Sequence, residues 1–194
     1  MIPQPTPGRA LKTYLLILAL IFSGSFLGGI LAPASVRKEA TEAFQFVAGN
    51  YAALSGGMLF FTLLVHNVVA SILILISGVL VGIVPVLSMA SNGFFLGALY
   101  RQAVEMAGFP KAMLKVLPHG ITEIPALLFA ASYGLWLGVT LVRRMRGTES
   151  TLLRFHIEHS FRRYFAVVFP LLIVAAVIET ALILWLQQGR PSGG

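Results

Sequence analysis

Charged residues are missing from four long stretches of the chain: Thr13 to Val36, Ala43 to Tyr100, Ile124 to Val142 and Tyr164 to Ile178. Inside them apolar residues run on without a strand's alternation, as in SILILISGVLVGIVPVL from Ser71 to Leu87. Strands of a membrane barrel alternate apolar and polar positions over about ten residues, so a barrel does not fit. Helices remain, because backbone polar groups in lipid have to be satisfied within their own segment. At roughly 20 residues per span the pattern predicts five, at about 13–31, 57–84, 86–104, 117–142 and 164–187. Pro85 is the predicted divider of the second and third, since proline lacks a donor and clashes with the preceding turn.

The first segment has a rival reading as a signal peptide. Arg9 and Lys12 make a basic start, and Ala32-Pro33-Ala34 has small-residue character. An h-region runs to about 7–15 residues, and this apolar run is longer, so a retained helix is expected. Two connections are amphipathic at helical spacing. One carries Val36, Ala40, Ala43, Phe44 and Val47 opposite Lys38, Glu39, Glu42 and Gln45. The other carries Leu153, Ile157, Phe161 and Tyr164, with Arg154, Glu158, Arg162 and Arg163 elsewhere. Both suit short helices in the interface plane, although the second reads equally well as a basic lead-in to the last span. The predicted fold is an all-α membrane bundle, with residues 1–194 as a single integral membrane domain.

Lys and Arg near the helix ends set the orientation. With the N-terminus in the cytoplasm and the C-terminus outside, eight basic residues lie inside and six outside, and 143–163 alone holds six of the eight. That connection is expected to meet anionic lipid headgroups at a cell membrane.

Composition agrees with this picture. Of 194 residues 57% are hydrophobic and only 11% charged, and the mean hydropathy is +0.87. A soluble domain carries about 25% charged residues, so a soluble globule and a disordered chain are both excluded. The net charge of +7 is explained by topology signals and anionic headgroups rather than by nucleic acid. Cysteine is absent, which excludes disulfides, thiol catalysis and thiolate metal sites, and leaves the redox compartment open.

Glycines four apart occur in four of the five spans: Gly24 and Gly28, Gly78 and Gly82, Gly93 and Gly97, Gly134 and Gly138. Such pairs let helix backbones approach closely. They predict tight packing within one chain or between two, and a homodimer is the expected assembly.

The candidate chemistry is sparse: His66, Asn67, Asn92, His119, Glu123 and Glu179 lie inside predicted spans. An ionisable group in hydrocarbon marks function by default. Positions eleven apart nearly eclipse on a helix, after about 1100° of rotation. Asn67 therefore shares a face with Gly78, and Glu123 with Gly134. Measured from the outer helix ends, the polar residues fall at comparable depth. They are expected to form one layer, with Glu123 pairing Asn67 or His66 and Glu179 joining them. His119 and Glu123 lie on one face of the fourth span, and Pro118 suits its first turn. The pair could bind a metal, relay a proton or simply hydrogen-bond, and the last is the expectation. No second histidine completes a zinc-binding H-E-x-x-H. His156, Glu158 and His159 cluster in a basic segment, where a metal is again not expected. Neither a nucleotide-binding motif nor a nucleophile elbow is present. No cofactor, metal or catalytic residue is predicted.

Together these motifs resemble the stage II sporulation protein M family. The resemblance rests on His66-Asn67, Gly78, Gly82, Pro85, Asn92-Gly93 with Gly97, the segment PHGITEIPA with Pro118, His119, Gly120, Glu123 and Pro125, and Gly134 with Gly138. It runs over essentially the whole chain and includes an apolar last helix with an embedded acid, Glu179. It implies a multi-pass membrane protein without enzymatic activity. For the namesake in spore formers it implies a scaffold for peptidoglycan-degrading enzymes, so cell-envelope enzymes are the expected partners. The competing expectations are a channel, transporter or lipid-handling protein using Glu123 and Glu179, and an intramembrane hydrolase near His119.

Overall fold

A computed structural model of the chain describes residues 7–49, 54–118 and 122–188. Those residues form helices α1 (Pro7–Leu31), α2 (Ala34–Gly49), α3 (Gly56–Ile76), α4 (Ile83–Ala107), α5 (Phe109–Pro118), α6 (Ile124–Met145), α7 (Leu153–Arg163) and α8 (Phe169–Gln188). Five helical stretches among them are long and apolar enough to cross a membrane: Gly8–Leu31, Gly56–Val79, Ile83–Ala107, Ile124–Met145 and Leu153–Trp185. Leu16, Leu20, Phe61, Val65, Leu73, Val174 and Val177 are exposed along these spans. In water that surface would favour aggregation, whereas in lipid it needs no cover. The chain is a multi-pass, all-α membrane protein.

The division between the second and third spans differs from the expectation at Pro85. Helix α3 tightens into a 3-10 turn at Ser77–Val79, and the chain reverses at Leu80 to Gly82, where Val81 and Gly82 take φ of 59° and 75°. Pro85 is instead the third residue of α4 and is buried. The first four N–H groups of a helix have no partner inside it, so proline removes nothing there.

The fourth span also differs. A continuous helix from Leu117 was expected, but α5 ends at Pro118 and α6 starts at Ile124, with Pro125 in its first turn. Pro118 lies in α5, and residues 119–121, His119 and Gly120 among them, lie outside the described residues.

The basic amphipathic segment is the lead-in to the last span. Helix α7 continues into α8 through a π-helical turn at Tyr164–Val168. Pro170 follows directly. Its ring cannot accommodate the carbonyl four residues earlier, and a wider turn just before it relieves that clash.

Glycine contacts fix how the spans pair. A Cβ on Gly93 would overlap the Phe22 carbonyl, one on Gly97 the Phe26 carbonyl, and one on Gly29 the Phe94 carbonyl. Residue numbers rise together along this contact, so α1 and α4 run parallel. Likewise a Cβ on Gly78 would overlap the Gly134 carbonyl, and one on Gly138 would strike the Gly82 amide. A Cβ on Gly134 would stand 2.8 Å from the Ile74 carbonyl and 2.9 Å from Pro85 Cγ. Helices α3 and α6 are therefore also parallel. Helix α8 runs antiparallel to α3, with Tyr164 beside Ser71 and Leu184 against Gly56.

Three of the four glycine pairs are thus in use inside the chain. The pair on α1 is not: Gly24 has open space around it, and Gly28 only reaches the edge of Phe94. Gly29, outside the predicted motif, is the glycine that meets α4.

Candidate functional site

Five of the six polar residues lie among the described residues, and His119 lies outside them. Asn67 is buried in α3, on the same side as Gly78, as the eleven-residue spacing predicts. His66, one residue away on the helix, is exposed. Asn92 is exposed on α4, and its side-chain amide donates to the Ser88 carbonyl at 2.8 Å. That bond satisfies the amide locally, so Asn92 needs no partner on another helix. Glu123 stands at the start of α6 and Glu179 in the middle of α8; each is partly buried and engaged by a partner. His66 and Asn92 thus turn outward from the bundle, while Asn67 is buried within it.

Several further buried polar side chains are not marked out by the sequence. Ser71 and Tyr164 bring their hydroxyls within 2.8 Å, and Ser71 also donates to the Val68 carbonyl at 3.0 Å. Thr180, beside Glu179, is buried with its hydroxyl unbonded, and so is Ser160. Serine, threonine and tyrosine are common enough in membrane helices that none stood out by residue type.

A second polar concentration sits where the chain leaves the bundle next to α6. Trp136 is buried and meets His156 at a tilt, with ring centroids 4.8 Å apart, while His159 meets it edge-on at 5.4 Å. His156 Nδ1 lies 3.3 Å from the Leu152 carbonyl. Aromatic pairs at such distances prefer tilted or edge-on geometry, so α7 is held to α6 by rings rather than by charge. Its arginines stay outside this contact, with Arg154 pairing Glu158 at 2.6 Å along the exposed face. The connecting loop is closed by Arg144, which donates to the Thr151 carbonyl, and by Glu149, which accepts from the Thr151 amide at 3.0 Å. Burial works to raise the Glu149 pKa, but the Thr151 hydrogen bonds with the His156 and Arg143 charges bring it below the usual carboxylate value. The His156, Glu158 and His159 cluster is therefore split, two rings against Trp136 and one carboxylate on Arg154. Among the described residues no three His, Asp or Glu side chains converge as a metal site.

At the opposite end of the bundle α2 is tied to α4. Arg37 Nη2 binds both Glu105 oxygens at 2.9 Å, and its other nitrogen donates to the Ala32 carbonyl. Arg101 reaches the same carboxylate at 2.9 Å. Beyond this anchor Ala43, Phe44 and Phe46 are exposed, so Val36 and Ala40 of the predicted amphipathic face pack against the protein, and Ala43 and Phe44 do not.

Comparison with known proteins places the chain in one family. Residues 15–182 match Stage II sporulation protein M (SpoIIM). No curated protein and no solved structure matches it.

Proposed function

The chain belongs to the stage II sporulation protein M family, and from that premise we propose that it is a non-catalytic membrane scaffold which anchors or regulates peptidoglycan-remodelling enzymes at the cell envelope. The observation that carries this reading is the backbone-to-backbone closure of α6 on the α3–α4 turn, at Gly78 with Gly134 and Gly82 with Gly138. Helices in such contact leave no room between them for a lumen along that seam. The outward turn of His66 and Asn92 adds to it, because a transport path needs polar side chains on a common inner surface. The exposed second half of α2, with Phe44 and Phe46, supplies a surface for a partner on the outer side.

In this proposal the N-terminus is cytoplasmic and the C-terminus outside, which the excess of arginine at 143–163 supports. The same arginines contact anionic headgroups. Self-association uses the α1 face with Gly24 and Gly28, since the other glycine pairs are occupied within the chain.

A photo-crosslinker at Phe46 in living cells tests the scaffold. Adducts with a peptidoglycan-degrading enzyme, lost when that enzyme is deleted, are expected. Solute flux through proteoliposomes that disappears in Glu123→Gln or Glu179→Gln would replace the scaffold with a transporter.

A further inference from the structure

The turn between α3 and α4 has none of the chemistry of a turn in water. Ser77 to Ile83 reads SGVLVGI and lies inside the charge-free stretch from Ala43 to Tyr100. Its one polar side chain, Ser77, donates to the Ile74 carbonyl at 2.9 Å. The apolar side chains point away from the protein: Leu80 is 60% exposed, Val81 51% and Ile83 58%. Turns at a water-facing surface are built from polar residues, glycine and proline, and a contiguous exposed apolar run there is disfavoured.

The backbone of the turn is largely closed on itself. Leu80 N–H donates to the Ser77 carbonyl at 2.9 Å, Gly82 N–H to Gly78 at 2.8 Å, and Ile83 N–H to Leu80 at 3.3 Å. Irregular backbone at membrane depth requires internal satisfaction of this kind.

Residue choice at Val81 points the same way. Its φ of 59° is a left-handed conformation that Gly, Asn or Asp usually fill. A β-branched residue is a costly choice there. In water an Asn would be the better residue; against acyl chains its amide would be stranded, and valine's apolar side chain would not.

The contact with α6 gives the distance from the turn to the first charge on that helix. Gly82 packs against Gly138, and Arg143 is the first charged residue after it on α6. Five residues of helix rise about 7–8 Å, so the turn stops short of the level at which α6 becomes basic.

We propose that the α3–α4 turn ends within the membrane, with Leu80, Val81 and Ile83 in contact with lipid acyl chains of the leaflet on the side of the α1 N-terminus. The hairpin of α3 and α4 then inserts without exposing a loop to the aqueous phase on that side. This surface is independent of the partner surface on α2.

The cysteine-free chain allows a direct test. Leu80→Cys and Ile83→Cys, each carrying a nitroxide, are reconstituted in phosphatidylcholine–phosphatidylglycerol vesicles and read for collision with oxygen and with a water-soluble nickel chelate. Both side chains lie outside the packed core, so the replacements leave the bundle intact. Leu73→Cys, exposed on α3, serves as a lipid reference and Ser150→Cys as an aqueous one. Oxygen collisions that exceed nickel collisions several-fold at both positions, as at Leu73, are expected. Nickel accessibility equal to that at Ser150 would overturn the proposal by placing the turn in water. Protection from both reagents would overturn it by placing protein over the turn.

Discussion

The hydroxyls of Ser71 and Tyr164 stand 2.8 Å apart, and both side chains are fully buried. Both hydroxyls also lie within reach of the Val68 carbonyl, Ser71 Oγ at 3.0 Å and Tyr164 Oη at 3.4 Å, so either can donate to the other. The bond ties the middle of α3 to the π turn between α7 and α8, where the last span enters the bundle. Side-chain hydrogen bonds between membrane helices average about 0.6 kcal/mol and reach about 1.7 kcal/mol. Tyr164→Phe is expected to cost about 1 kcal/mol in a bicelle unfolding assay. Combining it with Ser71→Ala should cost clearly less than the two singles added, because each removes the same bond. Simple additivity would mean that the hydroxyls do not interact.

The glycines divide into two groups with different expected costs. Gly78→Ala and Gly97→Ala place a methyl inside a neighbouring backbone, and overpacking of this kind costs about 1–3 kcal/mol or more. Gly24→Ala adds a methyl in open space and should stay within about 0.5 kcal/mol. Equal losses at Gly24 and Gly78 would contradict the packing of α6 on the α3–α4 turn.

Self-association should respond in the opposite order. Gly24→Leu is expected to abolish a crosslinked dimer in lipid while leaving monomer stability unchanged. A wild-type protein that is monodisperse and monomeric in both mild detergent and lipid would dismiss the α1 face as a dimer contact.

Val81 offers a stabilising substitution. A left-handed φ on a residue with a side chain costs roughly 1–2 kcal/mol, and glycine adopts it freely. The looser unfolded chain of a glycine variant offsets part of that gain. Val81→Gly should therefore raise stability by about 0.5–1 kcal/mol, and a loss of stability would show that the valine side chain makes contacts that outweigh the strain.

Orientation is open to the same cysteine chemistry. Ser150→Cys lies in the loop closed by Glu149 and Thr151, and a membrane-impermeant maleimide should reach it only after the cells are opened. Labelling in intact cells would reverse the assignment of both termini.

Lipid is a severe solvent, and that is why the sequence by itself determined so much here. Long charge-free runs have to become spanning helices, since no other element satisfies its backbone in hydrocarbon; the family, the number of spans and the burial of Asn67 on the Gly78 face were all legible from residue order. Tertiary structure alone decided the rest. Pro85 marks a helix boundary by composition, yet a first turn tolerates it, and the reversal moved to Val81 and Gly82, where packing against Gly138 holds the left-handed backbone. A glycine pair signals permission for close approach, not its use. Gly24 and Gly28 were left open because the α1 face that meets α4 carries Gly29. His66 and Asn67 are equivalent in sequence, but adjacent helix positions point about 100° apart, and only contact with other helices determines which of them is buried.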